Sequence, residues 1–330
     1  FGRCVVHFAV DDSEVRMCTQ LAGKASWFLP LNKGFNDGAG NPPNPLGLKT
    51  DYLWRELLTP AGLTDILENY AQIVEVKNPK TGKIKRSQVF PRYHQLGVVR
   101  QALADVRQHG VGKRYLVQHS AGSGKSNSIA WLAHQLIAVK SEGKEAFGSV
   151  IVVTDGRILG EQIQKTIKQF MQVGATVGAV TGDATSKTEQ LRQFIAAGKK
   201  IIISTIQTFP FVLKVIGDEH RGRKFAIIID EAHSSQSGKT AASMSATLGA
   251  AANGADGDEG EVDAEDVVNT AIEQRMAARK MVTNASYFAF TATPKNKTLE
   301  MFGDALPPDA EGKVRHKPFH SYTMKQAVEE

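Results

Sequence analysis

Residues 114–126 are Arg114-Tyr-Leu-Val-Gln-His-Ser-Ala-Gly-Ser-Gly-Lys-Ser126. The apolar start is typical of a β-strand, the glycine-rich middle of a tight turn, and the residues after it of a helix over 125–136. A strand, a glycine loop and a helix in this order indicate a phosphate-binding loop.

The residue types of this loop are suited to binding a nucleoside triphosphate. Backbone N–H groups from Gly122 through Ser123 and Gly124 to Lys125 would point at the phosphates, aided by the positive end of the helix. We expect Lys125 to reach the β- and γ-phosphates of ATP and the Ser126 hydroxyl to ligate Mg²⁺. His119 replaces the first glycine of the general pattern, G-x-x-x-x-G-K-[ST].

Two further motifs follow in order along the chain. The apolar run 225–229 leads into Asp230-Glu-Ala-His233, and a second apolar run leads into Thr291-Ala-Thr-Pro294. An acidic pair at the carboxyl end of a buried parallel strand suits catalysis, because ligands bind at that edge of an open α/β sheet. We expect Asp230 to hold the hydrated Mg²⁺ and Glu231 to polarise the attacking water. The three motifs together predict an ATP-driven motor domain that acts on nucleic acid.

Helix and strand patterns alternate between the first motif and the last, which predicts an α/β fold with a doubly wound parallel sheet. The predicted strands span residues 114–118, 149–154, 176–180, 200–205, 225–230 and 286–291, and the predicted helices 92–109, 125–136, 157–170 and 187–197. Residues 237–263 are rich in alanine, glycine and acids, which predicts a flexible insertion followed by a helix over 263–280. Residues 3–10 and 14–20 predict a two-stranded meander.

The composition is that of a soluble globular protein, with 42% hydrophobic and 22% charged residues among 330. The two cysteines, Cys4 and Cys18, form no metal-binding pattern, which argues against structural zinc and predicts a cytoplasmic protein. No apolar stretch is long enough for a membrane span. The net charge is +6 although residues 255–266 carry seven acids and no base, so the rest of the chain is basic and fits a polyanionic partner.

Longer strings resemble one known family, the restriction (R) subunit of type I restriction-modification enzymes, which belongs to helicase superfamily 2. The strings are Phe90-Pro-Arg-Tyr-His-Gln95, the loop and helix from His119 to His134, Ile151-Val-Val-Thr-Asp155, Ile229-Asp-Glu-Ala-His-Ser-Ser-Gln236, Arg3-Cys-Val-Val-His-Phe8 and Asn32-Lys-Gly34. The resemblance covers nearly the whole chain. It implies a RecA-like motor domain that pumps double-stranded DNA, with methyltransferase (M) and specificity (S) subunits as partners.

The resemblance also implies domain boundaries. Residues 1–88 would be the C-terminal remnant of an N-terminal nuclease domain and a linker, without the catalytic core. Residues 89–305 would be the first RecA-like domain, and residues 306–330 a linker towards a second one. That second domain supplies the arginine finger of the family, so the resemblance implies little turnover by this chain alone.

Further site residues follow from the resemblance, position by position. They are Arg92 and Gln95 for adenine binding, Thr154, Arg157, Thr205 and Gln207 for contacts with the DNA backbone, and Thr291 and Thr293 for coupling nucleotide state to DNA grip. Hydroxyls and strand-end amides suit phosphate contacts that do not depend on base sequence.

Two alternatives stay open at this stage. The motifs also fit another superfamily 2 helicase or remodelling ATPase, including one that acts on RNA, or a scaffold that binds ATP without turnover.

Asp65, Glu75 and Lys77 imitate the acid…Glu-x-Lys metal site of nucleases. Asp65 falls in a helix-like run and a charged hairpin tip follows Lys77, so we interpret this trio as a solvated linker.

Overall fold

A computed structural model describes residues 4–77, 81–154, 157–170, 177–180, 186–230 and 282–330. The strands are β1 His7–Val10, β2 Val15–Cys18, β3 Leu29–Pro30, β4 Gln72–Lys77, β5 Ile84–Val89, β6 Arg114–His119, β7 Lys140–Ser141, β8 Lys144–Glu145, β9 Ser149–Thr154, β10 Val177–Ala179, β11 Ile201–Thr205, β12 Phe225–Ile229, β13 Ala285–Thr291, β14 Asp304–Ala305, β15 His316–Lys317 and β16 His320–Tyr322. The α-helices are α1 Pro60–Asn69, α2 Tyr93–His109, α3 Lys125–Ala138, α4 Arg157–Phe170, α5 Lys187–Ala196, α6 Phe209–Lys214, α7 Asn296–Phe302 and α8 Met324–Glu329. Shorter helical turns occupy Gly23–Ala25, Leu53–Leu57, Ile206–Thr208 and Val215–Glu219.

A seven-stranded parallel sheet forms the centre of the described structure, in the order β10-β11-β9-β12-β13-β6-β16. Every residue of β9, β12 and β13 is buried. Strands that are covered on both faces need such continuous apolar runs, whereas a half-exposed sheet would show alternation. The predicted α/β fold with a doubly wound parallel sheet is therefore confirmed.

The two faces of the sheet carry separate hydrophobic cores, because neighbouring side chains of a strand point to opposite sides. On β9, Val150 and Val152 pack in one core together with Trp131 of α3. Ile151 and Val153 pack in the other core together with residues of α5 and α6. Helices on both faces shield the strands from water and leave the carboxyl edge of the sheet for the loops.

The seventh strand, β16, was not predicted. It lies in parallel beside β6, with His320 opposite Val117 and Tyr322 opposite His119. A strand of three residues with a histidine and a serine has no apolar pattern that would indicate it. Part of the segment 306–330, which the resemblance implied to be a linker, is thus an edge strand of the sheet, and α8 follows it.

The N-terminal region forms its own small elements. The predicted meander is a three-stranded antiparallel sheet, β1-β2-β3, and β4 pairs with β5 as a hairpin. Asp65 lies on α1 in an ion pair with Arg100, while Glu75 pairs with Arg86 across the hairpin. Among the described residues no group of three His, Cys, Asp or Glu side chains could hold a metal ion.

Some predictions fall on residues outside the described ranges: the insertion 237–263, the helix over 263–280 and Glu231. Within the described ranges, none of the helices is both long enough and apolar enough to span a bilayer.

Candidate nucleotide-binding site

The phosphate loop connects β6 to α3 and depends on two glycines. Gly122 and Gly124 have φ angles of +74° and +81°, in the left-handed region that strains other residues. A Cβ at Gly124 would lie 2.5 Å from the side-chain nitrogen of Gln95, whereas a Cβ at Gly122 would meet no atom within 4 Å. The loop is therefore closely packed on the side of α2 and open at Gly122, where a ligand could approach.

Helix α3 begins at Lys125, directly after the left-handed Gly124, and no side chain caps this helix start in the described structure. The helix N-terminus thus directs its partial positive charge at the open loop, as anion binding requires. The Lys125 ammonium donates a hydrogen bond to the backbone carbonyl of His119 at 3.3 Å. This contact holds the lysine across the loop, next to the place predicted for the phosphates. Ser126 lies beside it in the first turn of α3.

Asp230 follows the last residue of β12 and is only 3% exposed. Its backbone N–H donates to the carbonyl of Val153 on β9 at 2.9 Å, so the sheet fixes the direction of this strand end. One strand, β13, separates β12 from β6. Since all three strands are parallel, Asp230, Thr291 and the phosphate loop lie at the same edge of the sheet. A carboxylate at this edge and the Ser126 hydroxyl are the oxygen ligands that Mg²⁺ prefers.

Helix α2 holds the loop from the side through two residues predicted to bind adenine. Arg92 donates to the carbonyl of Gly122 at 3.2 Å. The Gln95 amide donates to the carbonyls of Ser123 at 3.3 Å and Gly124 at 3.0 Å. Its oxygen accepts the backbone N–H of Arg92 at 2.9 Å and so caps α2. In this structure both residues position the phosphate loop.

Three histidines, two of them buried and one half-buried, lie under the same loop and were not singled out as site residues by the sequence analysis. The Nε2 atom of His94 donates to the carbonyl of Ser123 at 3.0 Å, and the His94 ring stacks on Tyr322 at 3.8 Å. His119 and His320 share a hydrogen bond of 3.0 Å. The replacement of the expected loop glycine by His119 was the one sequence signal that pointed to this cluster.

Burial sets the charge of these rings. It lowers the pKa of His94 and His119 well below their ordinary value and that of His320 to about 4. A neighbouring cation, Arg92, lowers the pKa of His94 further. At neutral pH all three rings are uncharged, so they support the loop through hydrogen bonds and stacking and do not add positive charge to it.

The predicted DNA contacts lie along the same edge of the sheet but differ in exposure. Thr154 and Thr205 are paired in register at the ends of β9 and β11. Thr154 is fully buried and its hydroxyl bonds to the carbonyl of Ser204 at 3.4 Å. Thr205 is half-buried, with its hydroxyl 3.2 Å from that of Thr208. The Thr154 side chain therefore holds the strand end and does not face solvent.

The remaining predicted positions are distributed around this edge. Arg157 is the first residue of α4, and Gln207 lies in the helical turn after β11. Thr291 ends β13, is buried and is paired in register with Gln118 of β6. Thr293 lies two residues further on and is exposed. Roles for these residues in DNA binding and coupling stay predictions.

The SWI2/SNF2 ATPase family model matches residues 94–255, a stretch that begins in α2 and includes the phosphate loop and Asp230. Over this stretch the chain is similar to the ATPase domain that the family model describes. An ATPase domain of this kind hydrolyses ATP and ordinarily does so with Mg²⁺. No curated protein sequence matches the chain.

Several solved structures are similar to the chain. They include the Hef helicase domain of Pyrococcus furiosus, with 18% identity and a TM-score of 0.39, covering 64% of this chain and 35% of that one. A hypothetical ATP-dependent RNA helicase from Sulfolobus tokodaii has 17% identity and a TM-score of 0.35, covering 63% and 49%. The Sulfolobus solfataricus SWI2/SNF2 ATPase core in complex with dsDNA has 12% identity and a TM-score of 0.37, covering 69% and 34%.

The chain therefore spans about a third to a half of the length of these structures. The RecA-like assignment of the motor domain rests on the parallel sheet, the phosphate loop at its carboxyl edge and the family match, all of which agree.

Proposed function

We propose that this chain is the ATP-hydrolysing motor portion of the R subunit of a type I restriction endonuclease, which translocates double-stranded DNA before cleavage. The observation that carries this proposal is the phosphate loop at the same sheet edge as Asp230. The finer assignment is supported by the long strings that resemble R subunits, from Phe90-Pro-Arg-Tyr-His-Gln95 to Ile229-Asp-Glu-Ala-His-Ser-Ser-Gln236. Residues 1–88 are proposed to be the end of a nuclease domain.

The residues of the site have separate roles in ATP hydrolysis. Lys125 and the N-terminus of α3 bind the phosphates, and Arg92 and Gln95 keep the loop in its binding conformation. Ser126 and Asp230 would hold Mg²⁺, which neutralises charge on the phosphate oxygens. Glu231 accepts a proton from the attacking water and orients it for in-line attack.

Charge and loop position support a nucleic-acid partner. The chain has a net charge of +6 although residues 255–266 carry seven acids and no base, so the rest of the chain has a larger positive charge, which favours a polyanionic partner. Thr205 is the last residue of β11, and the exposed Thr293 follows β13; both lie at the edge that also carries the nucleotide site. A change in the bound nucleotide at this edge can therefore alter the protein's contacts with the adjacent DNA. The M and S subunits are the proposed protein partners.

The test uses the full-length subunit assembled with its M and S partners. ATP hydrolysis is measured without nucleic acid, with duplex DNA and with structured RNA, and translocation is followed by displacement of a third strand from duplex DNA. We expect duplex DNA to stimulate hydrolysis and the third strand to be displaced. The variant Lys125→Ala should lose MgATP binding, hydrolysis and displacement while its unfolding temperature stays unchanged, because the lysine is the first residue of α3 and not part of the core.

Three results would contradict the proposal. Stimulation by RNA alone would indicate an RNA helicase, and ATP binding with no turnover on any nucleic acid would indicate a scaffold. Unchanged ATP affinity of the Lys125→Ala variant in calorimetric titration would remove the phosphate-loop assignment itself.

A further inference from the structure

Tyr322, the last residue of β16, lies close to the phosphate loop although about 200 residues of sequence separate the two. It is buried, with only 2% of its surface exposed. β16 pairs with β6, the strand that enters the loop, and the backbone N–H of Ser120 donates to the Tyr322 carbonyl. Tyr322 lies outside residues 94–255, the stretch that the family model matches. A role for its side chain therefore has to be found from its contacts.

The Tyr322 ring orients one of the side chains that bind the loop, His94. The two rings stack with their centroids 3.8 Å apart and their planes 19° from parallel. A second ring, that of His119, meets His94 edge-on at 5.2 Å. A stacked imidazole cannot turn about its Cβ–Cγ bond without losing the face contact. The stacking therefore fixes the direction of the His94 Nε2–H, which donates to the carbonyl of Ser123 at 3.0 Å.

The same ring also supports Arg92, which binds the loop one residue earlier. The guanidinium carbon of Arg92 lies 5.7 Å from the centre of the Tyr322 ring, within the range of about 6 Å for a cation–π interaction. At the same time the guanidinium donates to the carbonyl of Gly122 at 3.2 Å. One aromatic ring thus contacts both side chains, Arg92 and His94, that hold consecutive carbonyls of the loop.

Contacts with α8 and with the N-terminal region hold Tyr322 in place. The Tyr322 hydroxyl donates to a carboxylate oxygen of Glu330 at 2.7 Å. The hydroxyl of the next residue, Thr323, donates to the carbonyl of Asp37 at 2.7 Å. The position of the ring is therefore set by bonds that do not involve α2, so the ring can serve as a support for the side chains of α2.

We propose that Tyr322 is a positioning residue for ATP binding, which acts through His94 and Arg92 on the carbonyls of the phosphate loop. The inference rests on the proposed function, since it assumes that this loop binds the phosphates of ATP. A Ser123 carbonyl held towards α2 turns the N–H of the same peptide unit, that of Gly124, to the open side of the loop. Because the support acts on the loop, it should matter equally for every ligand that carries a triphosphate.

The experiment replaces Tyr322 by leucine in the full-length protein, which keeps an apolar side chain but removes the flat ring. Binding of MgATP and of inorganic tripolyphosphate with Mg²⁺ is measured by calorimetry well below the unfolding temperature. Tyr322→Leu should weaken both by about tenfold, the combined effect of one aromatic pair and one cation–π contact. In steady-state hydrolysis the KM for ATP should rise by a similar factor while kcat changes little, as expected when uniform binding is lost. Tyr322→Phe should restore most of the affinity, because it keeps the ring and loses only the bond to Glu330.

The matched control is Tyr115→Leu. Tyr115 is a buried tyrosine near the start of β6, whose ring stacks on Phe288 at 4.5 Å and whose hydroxyl donates to Asp105 at 2.8 Å. The variant loses a similar ring and a similar hydroxyl bond at the other end of the strand. It should lower the unfolding temperature and leave the affinity for MgATP at the wild-type level.

A second variant, His94→Leu, tests the route of the effect and leaves Tyr322 itself in place. It should also weaken both ligands, and Tyr322→Leu should cost less affinity in the His94→Leu background than in the wild type, because residues that act as a unit are not additive. The inference stays testable in this way even should the Tyr322→Leu chain not fold.

The outcomes separate this inference from the proposed function. Wild-type affinity for MgATP in Tyr322→Leu or in His94→Leu overturns the inference, and so does an equal loss of affinity in Tyr115→Leu. A lower kcat with an unchanged KM in Tyr322→Leu also contradicts it. Failure of the wild type to bind either ligand removes the proposed function itself, and this inference with it.

Discussion

Replacing Gln95 by alanine tests whether helix α2 holds the phosphate loop. The change removes three hydrogen bonds from a buried position, one to the N–H of Arg92 and two to the carbonyls of Ser123 and Gly124. Each such bond contributes about 1 kcal/mol net, so we expect the free energy of unfolding to fall by about 2–4 kcal/mol. The two bonds to the loop account for about 2 kcal/mol of this, which corresponds to a loss of ATP affinity of about ten- to thirtyfold.

The assay pairs urea unfolding with calorimetric titration of MgATP on the same preparations. Gln101→Ala is the matched control, because Gln101 lies on the same helix with an exposed side chain. Gln95→Glu sharpens the test, since it keeps the shape but places a carboxylate oxygen against two carbonyl oxygens. It should lose at least as much ATP affinity as Gln95→Ala. If Gln95→Ala and Gln101→Ala were equal in both stability and ATP affinity, the bracing role of α2 would be refuted.

Two further predictions concern hydrolysis and pH. In the full-length enzyme Glu231→Gln should keep MgATP binding but lose hydrolysis, because an amide cannot accept the proton of the water. Asp230→Asn should instead weaken binding of Mg²⁺. A Glu231→Gln variant that hydrolyses ATP at the wild-type rate would remove Glu231 from the mechanism. Burial keeps the pKa values of His94, His119 and His320 below the ordinary 6.5, so the unfolded chain takes up protons that the folded chain does not as pH falls from 6.5 towards about 4. Stability should therefore fall with pH across this window, by at most about 1.4 kcal/mol per pH unit for each histidine, and urea unfolding curves that coincide at neutral pH and near pH 4 would contradict the prediction.

The central sheet could be predicted because its strands are continuous apolar runs whose ends are marked by polar residues. β9 and α4 have the predicted bounds, and β12 and β13 differ by one residue. β16 could not be predicted, since three residues at a sheet edge derive their strand conformation from pairing with β6 and not from their own sequence.

The details of the site were harder to predict from the sequence than its motifs. The order of Gly122, Gly124 and Lys125 indicates a phosphate loop from local sequence alone. The burial of Thr154 could not be read from a single hydroxyl residue at a strand end. One cavity is lined both by Trp27 and by Gly122 of the phosphate loop, which are about a hundred residues apart in the sequence. No periodicity within either segment indicates that the two lie close together.

The contacts from α2 explain how the loop can bind an anion at all. Three consecutive carbonyls, those of Gly122, Ser123 and Gly124, accept hydrogen bonds from side chains of α2. Within a planar trans peptide the N–H points away from the C=O of the same unit. The N–H groups of Gly124 and Lys125, which share peptide units with the last two carbonyls, are therefore turned away from α2 and towards the open side of the loop. Strand β16 fixes the other end, because the N–H of Ser120 donates to the carbonyl of Tyr322 at 2.9 Å. An unbraced glycine loop could rotate these peptides and lose the donors, so the polar residues of α2 and the edge strand maintain the anion-binding conformation before any nucleotide arrives.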